Sequence, residues 1–192
     1  MKVISSKQEV HDERGGSLSG WLQRRRFDVG RPYLRGRVLD FGSHHGVLTQ
    51  YCKPDTYLGV EHDPTFIEAA REAHPEYTFV TELPKDDKFD TVAAFALIEH
   101  IKDPGALLAK WAEVLAPDGR IVLTTPHPKF EWIHTVGAKV GLFSHHAHED
   151  HEDLIDKKLM TELGAPIGLV VDKYKRFLFG ANQLFVLRRS NG

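Results

Sequence analysis

Acidic residues and glycines at the ends of two apolar segments are the groups in this chain best suited to chemistry. The first segment, residues 37–41, contains Asp40 and leads into a short turn bounded by Gly42 and Gly46. The second, residues 57–61, ends at Glu61. Glycine allows a tight turn, and a carboxylate attracts cations and accepts hydrogen bonds from hydroxyl groups. The pattern predicts a site for a small ligand that carries both kinds of group.

The spacing of the glycines narrows the choice of ligand. A dinucleotide site needs three glycines spaced G-x-G-x-x-G, whereas this turn offers only Gly42 and Gly46. Asp40 would repel a pyrophosphate and attract an ammonium group, and Glu61 is suited to accept hydrogen bonds from a ribose diol. A cationic amino-acid head joined to a ribose describes S-adenosylmethionine.

One residue of the turn does not fit this pattern. His44 lies in the middle of the turn, where a loop pressed against a ligand is expected to use small side chains. An L-residue there should avoid the backbone angles that only glycine adopts cheaply. We therefore expect His44 to keep a negative φ, and we expect the loop to bind its ligand less tightly than a glycine-rich loop does.

Strand and helix patterns alternate along the chain. Helices are predicted over residues 18–33, after Asp63-Pro64 and after Asp103-Pro104, because each Asp-Pro pair supplies an N-cap and a preset first helical residue. The turn 117–119 should end the third helix. The alternation predicts an α/β fold: a doubly wound, mostly parallel, seven-stranded sheet with an antiparallel C-terminal hairpin. Its strands are predicted at residues 37–41, 57–61, 77–80, 91–95, 120–125, 167–175 and 183–188.

The composition fits one globular domain over residues 1–192, with residues 1–17 as a flexible leader. The net charge of −2 gives no reason to expect a nucleic-acid partner. Cys52 is the only cysteine, so no disulfide can form within the chain. The longest apolar run, residues 92–98, is too short to span a membrane. These features predict a cytoplasmic protein, and nothing in the apolar pattern predicts its oligomeric state.

Five stretches in order resemble the class I S-adenosylmethionine-dependent methyltransferases, in particular the small-molecule group with a Leu-Glu-His segment after the fourth strand. The resemblance implies a Rossmann-like methyltransferase fold with S-adenosylmethionine as co-substrate. It also implies that Asp40, Gly42 and Gly46 surround the methionine moiety, that Glu61 holds the ribose and that His62 lies near the adenine. The five stretches are residues 38–42, 57–61, 89–92, 97–104 and 114–126.

The same resemblance assigns further residues to the donor site. The pair Phe95 and Ala96 should line the remaining wall, and Glu82 is the candidate for the acidic residue that contacts the adenine amine. His44 replaces the middle glycine of the family's Gly-x-Gly-x-Gly loop. We include it among the donor-binding residues, because its imidazole could reach the methionine carboxylate or the acceptor.

Methyl transfer by direct displacement requires mainly alignment of the reactants and exclusion of water. A hydroxyl acceptor also requires a base, and histidine is suited to this near neutral pH. His100, after the fourth strand, and His127, after the fifth, are the candidates, although each could instead have a structural role. The predicted activity is methyl transfer to a small-molecule or glycan acceptor.

Residues 127–153 form an insertion rich in aromatic and imidazole groups, which we expect to act as a substrate lid. Its segment 145–151 carries four histidines, but their spacing matches no metal-site template, so no metal is assigned. Two alternatives remain at this point. One is a non-catalytic binding or regulatory domain with a degenerate donor loop, and the other is a histidine-metal hydrolase on an α/β scaffold.

Overall fold

The computed structural model describes residues 17–128 and 155–190 of the chain. Its strands form one sheet in the order β3-β2-β1-β4-β5-β7-β6, in which β7 runs antiparallel to both β5 and β6 and the other pairs are parallel. The predicted seven-stranded, mostly parallel sheet with a C-terminal hairpin is confirmed. The strands are β1 Val38–Phe41, β2 Tyr57–Val60, β3 Thr78–Val80, β4 Phe89–Phe95, β5 Leu115–Pro126, β6 Leu169–Phe177 and β7 Asn182–Arg189.

Helices flank the sheet, and the sequence predicted most of them. The Asp63 side chain accepts a hydrogen bond from the Thr65 N–H at 2.8 Å, and Asp103 accepts one from Ala106 at 2.8 Å, so both predicted N-caps are confirmed. The sequence pattern did not predict α4, which begins after the N-cap Asp156. The helices are α1 Ser17–Gly30, α2 Pro64–Ala73, α3 Pro104–Val114 and α4 Lys157–Gly164.

The central strand β4 has apolar residues on both faces, as expected for a strand covered on both sides. Val92 and Ala94 belong to one core cluster together with Trp111 of α3. Ala93, whose side chain points to the other face, belongs to a second cluster with Phe27 of α1 and Ile67 of α2. The sheet is therefore the middle of three layers, and its strand order reverses between β1 and β4, where open α/β sheets bind their ligands.

One strand begins earlier than predicted. β5 starts at Leu115, before the turn that was expected to separate helix from strand. Its pairing with β4 moves from Phe89 opposite Leu115 to Thr91 opposite Arg120, so the intervening residues of β5 bulge away from β4. The segment 117–119 is thus a bulge within the strand.

The predicted leader and lid lie almost wholly outside the described residues. Only Ser17, at the start of α1, and His127 and Pro128, just after β5, belong to the described ranges. The histidine segment 145–151 lies outside them as well. No helix within residues 17–128 and 155–190 is long and apolar enough to cross a membrane.

Candidate active site

Two buried carboxylates lie at the carboxyl ends of neighbouring strands. β1 and β2 pair in parallel, with Asp40 opposite Gly59 and Phe41 opposite Val60, and Glu61 follows directly after β2. Both carboxylates are buried. We call this part of the molecule, formed by Asp40, the loop 42–46 and Glu61, the donor edge. The sequence prediction that these residues share one edge of the sheet is borne out by the strand register.

Backbone groups hold the Glu61 carboxylate. The His44 N–H donates to Oε2 at 3.0 Å, and the Asp63 N–H donates to Oε1 at 3.0 Å. The exposed His62 ring lies nearby, with Nδ1 3.1 Å from Oε1. A carboxylate has about four lone-pair positions, so Glu61 keeps acceptor capacity for a ligand hydroxyl. It is a fixed acceptor that loop and strand position together.

Asp40 has a different environment. The Tyr57 hydroxyl donates to its Oδ2 at 2.8 Å. Burial raises the pKa of Asp40 to about 7; the Tyr57 hydrogen bond opposes the increase and the Glu61 charge adds to it. Near neutral pH Asp40 is therefore only partly ionised, and a nearby charge can shift the balance between its protonated and ionised forms. A cationic group nearby would lower this pKa and favour the carboxylate that attracts it.

The loop between these carboxylates is left-handed at three positions, namely Gly42 at φ 76°, His44 at φ 49° and Gly46 at φ 73°. The expectation that His44 avoids positive φ is wrong. The left-handed α region is allowed for L-residues, and histidine is enriched there. The conformation directs the His44 N–H to Glu61, and the ring packs on Phe66 at a centroid distance of 3.7 Å.

The two glycines of the loop are also required by close packing. A Cβ atom on Gly42 would lie 2.9 Å from Leu97 Cδ1, and one on Gly46 would lie 2.8 Å from Phe79 Cζ. Both positions combine positive φ with a lack of space, so glycine is needed at each of them. His44 and His45 are exposed, so their side chains occupy the open side of the loop.

Phe95 and Ala96 lie where β4 ends beside the loop. Phe95 is half-buried and packs edge-on against Phe27 of α1, with centroids 5.1 Å apart. Ala96 has φ 53°, and its N–H donates to the Thr124 carbonyl at 2.8 Å. A left-handed alanine is strained, and such strain concentrates at functional sites. Glu82 is exposed and follows β3 at the same edge of the sheet.

The two candidate bases differ in burial. His127 is buried just after β5, and its backbone N–H donates to the Ala181 carbonyl at 2.9 Å. His100 is exposed at the end of the 3-10 turn Ile98–His100. The structure therefore brings both histidines to the carboxyl ends of β4 and β5, one inside the protein and one at its surface.

Sequence reasoning missed a polar cluster beside these histidines. Glu99 Oε2 is buried and has no hydrogen-bond partner within the described residues. Burial raises the pKa of Glu99, while His100 and Arg26 favour its charged form. Arg26 itself donates from Nε to Asn182 Oδ1 at 3.2 Å. The only sequence signal was the Glu99-His100 pair, because Arg26 belongs to α1, far from that pair in the sequence.

Comparison with known proteins identifies the family. The sequence model of a protein family, described as a methyltransferase domain, matches residues 13–172 of this chain. The chain belongs to the methyltransferase-domain family. The predicted class I S-adenosylmethionine-dependent methyltransferase is therefore confirmed, and with it S-adenosylmethionine as the co-substrate. The family match favours methyl transfer over the hydrolase alternative.

The methyltransferase is also similar to individual proteins. Ubiquinone biosynthesis O-methyltransferase of Bradyrhizobium sp. (strain ORS 278) is 35% identical, with 46% of this chain and 39% of the relative covered. The protein of the same name from Rhodopseudomonas palustris (strain HaA2) is 34% identical over the same shares of each chain. The chain thus spans well under half the length of the curated relatives that it matches.

Solved structures share the fold of this methyltransferase. An S-adenosylmethionine-dependent methyltransferase from Mesorhizobium loti gives a TM-score of 0.65 at 16% identity, covering 85% of this chain and 97% of the other. One from Clostridium acetobutylicum ATCC 824 gives 0.64 at 10% identity, covering 90% and 91%. These identities are low, so the likeness bears on the fold alone.

The donor edge has the groups that S-adenosylmethionine requires. The molecule carries a sulfonium and an ammonium group, which favour a nearby carboxylate such as Asp40. Its ribose diol requires a fixed acceptor such as Glu61, whose oxygens are already oriented by backbone donors. The residues present therefore fit the co-substrate, and no metal is needed for this fit. Within residues 17–128 and 155–190, no group of three or more His, Cys, Asp or Glu side chains could hold a metal ion.

Proposed function

We propose that this methyltransferase moves a methyl group from S-adenosylmethionine to a hydroxyl oxygen of a small-molecule or glycan acceptor. The main observation in support of S-adenosylmethionine as the methyl donor is the buried pair Asp40 and Glu61 at adjacent strand ends. Support for an oxygen acceptor comes from the partial similarity to proteins named ubiquinone biosynthesis O-methyltransferase. A cytoplasmic location is part of the same proposal.

Each donor-edge residue has a role in the proposal. Glu61 accepts hydrogen bonds from the ribose, and Asp40 supplies the charge opposite the cationic part of the donor. The loop from Gly42 through His44 to Gly46 surrounds the methionine moiety. The outer contacts belong to the residues at the mouth of the site: His62 and Glu82 beside the adenine, and Phe95 and Ala96 along the remaining wall.

The bound donor supplies a methyl group that is already activated by its sulfonium. The protein holds the acceptor oxygen in line with it and excludes water, because alignment supplies most of the acceleration in such a displacement. As the oxygen–carbon bond forms and the sulfur–carbon bond breaks, S-adenosylhomocysteine leaves. The hydroxyl proton passes to a histidine, for which His127 and His100 are the candidates. Burial gives His127 the drier environment of the two.

A second candidate function rests on His44. A domain that binds the donor without turning it over would keep Glu61 and Asp40 but lose the loop geometry that aligns the methyl group. The positive φ and ring packing of His44 would be the origin of that loss. Both functions predict that the chain binds the donor. Only the first predicts that the methyl group is transferred to an acceptor.

Calorimetry and methyl transfer together test the proposal. We expect the full chain to bind S-adenosylhomocysteine and to transfer a radiolabelled methyl group from S-adenosylmethionine to at least one member of a panel of catechols, phenols and glycosides. The His127→Ala and His100→Ala variants should bind the donor normally, and the variant that lacks the true base should lose turnover. Absence of donor binding up to millimolar concentration would refute the donor assignment. Donor binding without turnover of any acceptor would favour the second function.

A further inference from the structure

A cleft lies at the amino ends of β4 and β5, at the opposite end of these strands from the donor edge. It has a volume of about 370 Å³ and is lined by three arginines and by the bulge at the start of β5. The lining arginines come from two places in the chain, one before β1 and two at the end of β7. We call it the arginine cleft, with Arg35, Arg188 and Arg189 as its basic lining residues and Pro117, Asp118 and Gly119 as its bulge.

Two arginines pair directly across strands beside this cleft. Arg120 of β5 lies opposite Arg188 of β7 in the antiparallel register. Like charges directly opposite on neighbouring strands destabilise a sheet. The pKa of Arg120 is lowered by burial, and then by the charges of Arg35 and Arg188, whereas Asp172 opposes these effects. The positive charge of these arginines therefore exceeds the negative charge of the nearby acidic residues.

The arginines use few of their donors within the described residues. Arg35 donates to the Asp118 carbonyl at 3.0 Å, and Arg188 donates to Asp172 Oδ1 at 2.6 Å. Arg189 Nη2 donates to the Ala112 carbonyl at 2.6 Å. The buried Nε atoms of Arg120 and Arg188 have no hydrogen-bond partner in the described part of the chain. A guanidinium carries five N–H donors, so most of the donors of these arginines have no acceptor among residues 17–128 and 155–190.

We propose that the arginine cleft binds the phosphate group of a small anionic ligand. A phosphate supplies two negative charges and several acceptor oxygens, which match converging guanidinium forks. Asp118 in the lining and the net charge of −2 disfavour a long polyanion such as nucleic acid. The cleft lies at the amino ends of β4 and β5, away from Asp40 and Glu61, so the proposal does not depend on the proposed function.

Thermal melting of the full chain with inorganic phosphate or pyrophosphate tests this site, with sodium chloride at matched ionic strength as the reference. We expect both phosphates to raise the Tm of the wild type saturably and beyond the effect of chloride. Arg120→Gln should melt above the wild type in phosphate-free buffer, because the cross-strand repulsion is removed. Arg35→Gln, which removes an exposed guanidinium from the cleft lining, should lose most of the response to phosphate. Arg24→Gln, which removes an exposed charge on α1, should leave the response intact.

A second variant and a control for folding make the result decisive. Arg188→Gln should also lose the phosphate response, although it gives up the ion pair with Asp172. Binding of S-adenosylhomocysteine should be unchanged in both variants, which shows that the fold is intact. A phosphate effect no larger than that of chloride, or one that survives in Arg35→Gln and Arg188→Gln, would overturn the proposal. Arginine-dependent flotation with phosphatidic acid vesicles, without a response to free phosphate, would also overturn it and point to a lipid surface instead.

Discussion

The two edges of the sheet have opposite charge and different construction. At the donor edge, Asp40 and Glu61 are buried and hydrogen-bonded, and a left-handed loop joins them. Beside the arginine cleft, Arg120 and Arg188 lie opposite each other on neighbouring strands, and their Nε atoms have no acceptor among the described residues. Glu61 is a buried charge whose geometry two backbone donors fix, whereas the partly exposed guanidinium groups of Arg120 and Arg188 are the charges that the proposed phosphate would neutralise.

Removal of Glu61 should have the largest effect on the donor edge. We expect Glu61→Ala to weaken binding of S-adenosylhomocysteine by about 1 to 3 kcal/mol, because the ribose loses its acceptor. Isothermal titration calorimetry measures this directly. Glu61→Gln keeps one oxygen acceptor for the loop, so it should retain the fold while losing part of the affinity.

The matched control for Glu61 is Glu68→Ala, which removes an exposed carboxylate from α2. Donor affinity should be unchanged in this variant. If Glu61→Ala bound the donor as tightly as Glu68→Ala, the ribose assignment would be wrong, and the two backbone hydrogen bonds to Glu61 would have only a structural role.

Asp40→Asn and Asp172→Asn should change stability in opposite directions. The pKa of Asp40 is raised to about 7, so the folded state prefers its protonated form. Its contribution to stability is present below pH 4 and is lost as the pH rises through 7. At pH 8 we expect Asp40→Asn to raise the free energy of unfolding by roughly 1 to 3 kcal/mol, and to lower donor affinity.

The pKa of Asp172 is lowered, chiefly by its hydrogen bond from Arg188. Its stabilising contribution is present above its unfolded pKa and is lost only in acid, so Asp172→Asn should destabilise the protein at pH 8. Urea unfolding of both variants at pH 4 and pH 8 measures the contrast. Equal signs at pH 8 would contradict the distinction between the two edges.

The sequence predicted what local patterns specify. The apolar run of β4 and the Asp-Pro caps of α2 and α3 depend on neighbours in the chain, and all were recognised. Asp40 and Glu61 could be predicted as candidates because strand ends in a parallel sheet meet at one edge. The backbone angle of His44 was predicted wrongly, since its hydrogen bond to Glu61 and its contact with Phe66 are tertiary.

Two features could not be predicted because they depend on long-range register. Arg120 and Arg188 become neighbours only through the antiparallel pairing of β5 with β7, and Arg35 joins them from the segment before β1. Glu99 and Arg26 likewise meet only because α1 packs near the end of β4. No short motif encodes such contacts, so sequence patterns identified the donor edge and missed the cleft.

Gly46→Ala should affect stability through the loop of the donor edge. The added Cβ would lie 2.8 Å from Phe79 Cζ, and the residue would have to keep a φ of 73°. We expect the free energy of unfolding to fall by about 1 to 3 kcal/mol in urea titration. Gly20→Ala is the control, because a Cβ there meets nothing within 4 Å and α1 should gain about 0.5 to 1 kcal/mol from alanine. A loss of equal size in both variants would show that the loop geometry is not the cause.

His44→Gly should have the smallest effect, because two opposing terms nearly cancel. Glycine relieves a left-handed φ that costs a non-glycine residue about 1 kcal/mol, and it loses a ring contact with Phe66 worth about 0.5 to 1.5 kcal/mol. The backbone N–H that donates to Glu61 is retained, so we expect donor affinity to change by less than about threefold.

A double-mutant cycle with Phe66→Leu separates these terms. If the His44 ring is held by Phe66, the coupling energy in urea unfolding should be about 0.5 to 1.5 kcal/mol. A tenfold gain in donor affinity for His44→Gly would instead show that the imidazole obstructs the donor, which would contradict its proposed place beside the methionine moiety. Unchanged affinity with measurable coupling would mean that this loop uses a packed histidine in place of the middle glycine of a Gly-x-Gly-x-Gly loop, with the Glu61 acceptor still in place.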